Sequence, residues 1–119
     1  MICAIGEFHP DPFDSYSGQM APLRVTVTAW APHGSARLRF TNQQPHLAVM
    51  FDDNESGPTI HTRPQALQPG ANVYDHRLGF RLANPAGLGV ITGLGVTVVD
   101  EAGTPLSAEF RLLATVKKA

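Results

Sequence analysis

His9, Asp11 and Asp14 fall within the stretch "FHPDPFDSYSG", and each is a side chain that ligates hard or borderline metal ions. Pro10 and Pro12 work against that use, because each holds the residue before it extended and turns neighbouring side chains apart. A site needs ligands that converge, and this spacing does not enforce convergence. The apolar members of the same stretch fit another role. Phe8, Phe13, Tyr16 and Met20 precede the first clear strand, so residues 1–20 read as an extended arm that docks these side chains on a protein surface.

Two further constellations carry metal-binding side chains. In "DDNESG", Asp52, Asn54 and Ser56 occupy alternate positions of a calcium-loop opening and Gly57 its sharp turn, but Arg63 stands where the loop requires a bidentate glutamate. Short runs of Asp, Asn, Ser and Gly also build ordinary hairpin loops. If that loop pairs Phe51 with Pro58, His46 and His61 become diagonal neighbours on one strand face, about 7–8 Å apart at the backbone. With Asp52 they are then a candidate zinc or proton-transfer site. Two exposed histidines on a polar strand face are the plainer alternative.

Trp30, Tyr74 and Asp75 supply the pieces of a sugar-binding platform, an aromatic face with a polar neighbour. Trp30 falls on the polar side of its strand's alternation, although a lone tryptophan also serves well as a core plug. Nucleophilic catalysis has little to draw on. There is no G-x-S-x-G elbow, Cys3 has no local base, and Asp100–Glu101 sit in a turn. The repeated Gly-Leu-Gly-Val of "GLGVITGLGV" lacks the helix that a phosphate loop requires, so its glycines mark a bend or a close approach instead.

The elements that must position these residues are strands. Leu23, Val25, Val27 and Ala29 alternate with Arg24, Thr26, Thr28 and Trp30, and Ala36, Leu38 and Phe40 alternate with Ser35, Arg37, Arg39 and Thr41. Leu47–Phe51, Thr59–Thr62, Val73–Leu82, Leu94–Val99 and Ser107–Val116 complete the set. Between them lie turn signals: "APHGS", "DDNESGP", "LQPGANV" with Pro69–Gly70 at the centre of a type II turn, and "DEAGTP". Ten prolines and eleven glycines leave no room for a long helix. The expectation is an all-β, single-domain antiparallel sandwich, immunoglobulin-like or jelly-roll-like, or a small barrel, of about seven strands. Residues 1–20 form its arm and 21–119 the domain proper.

Composition narrows the function classes. The chain has 119 residues, 43% hydrophobic and only 16% charged, with a net charge of −1, which suits one ordered core. Its seven arginines are scattered and its two lysines, Lys117 and Lys118, close the chain, so nucleic acid is not an expected partner. A single cysteine excludes an intrachain disulfide. No apolar run approaches a membrane span or a signal core, which gives the expectation of a soluble protein, cytoplasmic or virion-associated.

These observations lead to the expectation of a non-enzymatic structural or assembly subunit, of the kind found as a virion decoration or tail component or in a surface layer. Its partner would be protein, in a homo-oligomer or larger assembly, with no cofactor expected; calcium and zinc enter only through the loop and histidine readings above. A carbohydrate- or small-ligand-binding module through Trp30, Tyr74 and Asp75 is the alternative. A metal-dependent enzyme using His46 and His61 is the third reading.

Overall fold

The computed structural model describes residues 1–16, 18–42, 47–51, 54–56, 59–82 and 90–117, and all regular structure in them is β. Eleven strands follow in order: β1 (Cys3–His9), β2 (Phe13–Tyr16), β3 (Met20–Ala29), β4 (His33–Asn42), β5 (Leu47–Phe51), β6 (Asn54–Ser56), β7 (Thr59–His61), β8 (Gln65–Leu67), β9 (Gly70–Leu82), β10 (Val90–Val99) and β11 (Phe110–Lys117). They build two sheets packed face to face. Sheet I has the order β1-β3-β9-β5-β6, and sheet II the order β2-β11-β10-β4-β7, with β8 also paired to β4. Among the described residues no helix is long and apolar enough to cross a membrane.

Period-two patterning accounts for the packing. On β3, Leu23, Val25, Val27 and Ala29 are buried while the residues between them face outward. The same holds for Leu38 and Phe40 on β4 and for Leu112, Ala114 and Val116 on β11. The inward rows of both sheets meet in one interior that includes Phe13, Phe80, Leu94 and Val96.

Two turns behave as their residues require. At Pro69–Gly70 the glycine has φ 99°, the left-handed value that the third position of a type II turn demands. Between β10 and β11, Asp100 accepts from Gly103 N at 3.0 Å, and its Oδ1 accepts from Thr104 N at 2.8 Å. "APHGS", by contrast, does not fold β4 back onto β3. It carries the chain from sheet I to sheet II, where β4 pairs with β10, while β3 pairs with β9.

The first twenty residues are not an arm outside the domain. β1 pairs antiparallel with β3 in sheet I, and β2 runs parallel to β11 in sheet II. The chain thus changes sheets across His9–Pro12, where a proline at every second position removes N–H donors that a continuous ladder would need. Phe8 is 3% exposed and Phe13 fully enclosed. Phe8 of sheet I meets Phe110 of sheet II at 4.9 Å between ring centroids, and Phe13 of sheet II meets Phe80 of sheet I at 6.4 Å. The boundary expected at residue 20 disappears for the same reason, because strands on both sides of it share one core.

Candidate functional site

The two sheets leave two outer faces, and the expected site residues distribute over them and the interior. Residues pointing outward from sheet I form rows: Ala4, Thr28 and Ala71; then Glu7, Thr26 and Val73; then His9, Arg24 and Asp75. Trp30 follows β3 beyond the first row, its N–H donating to Ile2 O; it is 61% exposed, and its Nε1 donates to Met1 O at 3.1 Å. Val73 is 54% exposed. Small side chains lie between these two, and beyond them Glu7, His9, Arg24, Thr26 and Val73 line a shallow cleft of about 410 Å³. Arg24 Nε donates to Asp75 Oδ1 at 2.8 Å and closes the other end; the carboxylate beside it raises the Arg24 pKa. Both partners are exposed, so this pair orients the rim more than it stabilises the fold.

The sugar platform does not assemble. Tyr74 lies opposite Val25 and so points inward, half-buried against the core, where burial raises its phenol pKa. Trp30 and Asp75 point outward from the same sheet. Tyr74 and Asp75 are chain neighbours on a strand, and neighbours on a strand face opposite ways. Tyr74 instead lies beside His76, ring centroids 6.4 Å apart.

Among the described residues, the β5–β7 pairing that the histidine site assumed is absent. His46 and Asp52 lie outside the described residues. The hairpin that was to join His46 to His61 is nonetheless decided by its strands: β5 pairs with β6 and β9 in sheet I, whereas β7 pairs with β4 in sheet II. His61 sits opposite Arg39. Its pKa is lowered by burial first and then by the charges of Arg37 and Arg39. The calcium-loop reading meets a related obstacle, because Asn54–Ser56 is a strand and not a loop wrapping an ion. Among the described residues no three His, Cys, Asp or Glu side chains gather as a metal site requires.

Of the four docking residues proposed for the arm, Phe8 and Phe13 belong to the core, and the remaining two stay near the surface. Tyr16 is 51% exposed and half-buried Met20 lies across from it. Together with Asp14, Ser15, Gln19, Ala21 and Lys117 they line a cleft of about 220 Å³ at the open end of the sandwich. The glycine strand is explained by a side chain rather than a ligand. The Glu109 carboxylate lies across Gly95 so closely that a Cβ there would meet it at 2.9 Å, and Glu109 pairs with Arg111 Nε at 3.0 Å.

One grouping escaped the sequence reading. Arg37 and Arg39 both face outward from β4, with His61 opposite Arg39. Thr62 N donates to Leu38 O at 2.9 Å, and Leu38 N donates to Thr62 Oγ1 at 3.0 Å, so the ladder ends there on a side chain. The signal was present as alternate arginines on a wet strand face; the strand that brings His61 to them was assigned to another partner.

No protein-family model and no curated protein matches the chain. Solved structures do. The chain is similar to CaCohA2 from Clostridium acetobutylicum, at TM-score 0.56 and 11% identity over 98% of this chain and 91% of that one. It is also similar to a non-cellulosomal cohesin from the hyperthermophilic archaeon Archaeoglobus fulgidus, at TM-score 0.50 and 16% identity over 97% and 89%. At such identities the likeness is one of fold, and the fold is that of a β-sandwich domain.

Proposed function

We propose that this chain is a non-enzymatic protein-docking module that associates with a second copy of itself through the outer face of sheet I. The observation that carries the reading is Trp30, 61% exposed at the end of a face of small residues and held in place by its bond to Met1 O. A large aromatic fixed in orientation loses little entropy on contact, and such side chains dominate interface energetics. The rim is of mixed sign, with Glu7 and Asp75 among His9 and Arg24, so a two-fold copy can set each charge against its opposite. The structural likeness to a cohesin supports a binding role over an enzymatic one. The assembly is of copies and does not use residues 1–20 as a strap.

Light scattering on a sizing column tests this. The full chain is expected to elute with the mass of a dimer, and Trp30→Ala and Val73→Asp to shift it to a monomer without loss of the β far-UV spectrum. A wild-type chain that stays monomeric at the concentrations used for NMR overturns the reading.

A further inference from the structure

We propose that the arginine ladder on the outer face of sheet II binds an acidic segment of a partner protein that presents carboxylates at alternate positions of an extended chain. This goes beyond self-association and concerns the opposite sheet.

Three positive or protonatable side chains occupy one corner of that face. Arg37 and Arg39 stand two residues apart on β4, and His61 lies across from Arg39. Among the described residues no carboxylate pairs with any of them. Of the acids in the adjoining segments, Glu109 pairs with Arg111, Asp100 accepts from Thr104 N, and Glu101 accepts from Ser35 Oγ at 2.8 Å at the end of the same β4 row. Arg37 Nε is enclosed and donates to nothing. His61 responds to the same charge, since Arg37 and Arg39 already hold its pKa down.

The spacing selects the partner. Alternate residues of a strand are about 7 Å apart, and alternate carboxylates on an extended segment have the same repeat. Such a segment can bring one carboxylate to each arginine of β4 while its main chain follows the strand. A nucleic-acid footprint needs a longer run of cations than this corner supplies, given a net charge of −1 for the whole chain.

The test is an NMR titration of the full chain with a capped peptide of glutamates alternating with threonines, beside its glutamine counterpart. The glutamate peptide is expected to shift the Arg37, Arg39 and His61 resonances, to raise the His61 pKa toward its ordinary value, and to bind more weakly as salt is added. Arg37→Gln and Arg39→Gln are each expected to weaken binding about tenfold, the effect of one lost charge-assisted hydrogen bond. Trp30→Ala binds the peptide as the wild type does, so failure here and failure of self-association are read separately. Equal binding of the two peptides, or no shift from either, overturns the proposal. So does a stronger response to inorganic phosphate or to a single-stranded oligonucleotide, which would make the corner a phosphoryl site.

Discussion

Asn72 shows how a single polar side chain can hold an element in place. It is 9% exposed at the start of β9; its Nδ2 donates to Val27 O, Gln68 O and Gly70 O, and its Oδ1 accepts from Gln68 N at 3.0 Å. The type II turn at Pro69–Gly70 is therefore tied to β3 through one amide. Asn72→Ala removes these partners and strands the Gln68 N–H, so it is expected to cost about 2 kcal/mol, measured by urea unfolding. His61 provides a second measurement at this scale. Its folded pKa lies below the ordinary value of 6.5, so the unfolded chain takes up the proton first as pH falls. The associated stability is present above about pH 6.5 and is lost as the pH drops toward the folded pKa. Arg39→Gln removes one of the repelling charges. The His61 pKa is expected to rise toward 6.5 in an NMR titration of that variant, and the acid loss of stability to diminish. An unchanged His61 titration would mean that the guanidinium is not beside the ring.

At the scale of elements, the decisive feature is the split N-terminal segment. β1 and β2 lie in different sheets, and their aromatics cross the interior to rings on the other sheet. Phe13→Ala is thus expected to cost about 3–5 kcal/mol, as large core aromatics do, and the thermal midpoint should fall with it. Removal of residues 1–20 is expected to abolish the cooperative transition instead of releasing a folded monomer. A truncated chain that melts cooperatively near the wild-type temperature would restore the arm. The glycine strand β10 belongs to the same scale. Gly93 and Gly95 face outward opposite Leu113 and Arg111, and the room they leave is occupied by Glu109 and Arg111. Neither a phosphate nor another backbone is needed to explain them.

At the scale of the whole molecule, two outer faces of different chemistry lie back to back. Sheet I offers Trp30 and small residues with a mixed rim; sheet II offers arginines at one corner. A module that pairs with its own copy on one side and takes an acidic segment on the other can join a partner to a dimer, and two linked sites raise avidity without new contacts.

Much of this was legible in the amino-acid sequence alone. Period-two alternation in Leu23–Ala29, Ala36–Phe40 and Phe110–Val116 determined the strands and which side of each is buried, because successive side chains on a strand must point opposite ways. The row expected to begin at Ala108 starts later, since Ala108 is exposed and Ser107 buried. Pro69–Gly70 and Asp100–Gly103 determined their turns, since only particular residues adopt the required φ angles or supply the local acceptor. Sheet membership was decided by tertiary structure. "APHGS" has the composition of a hairpin turn, yet it carries the chain between sheets, and β6 and β7 likewise lie in different sheets. A turn's residues specify its local bend, whereas the sheet that receives the next strand depends on which distant apolar row covers it. That difference paired His61 with Arg39 instead of with β5, and made Phe8 and Phe13 part of the core.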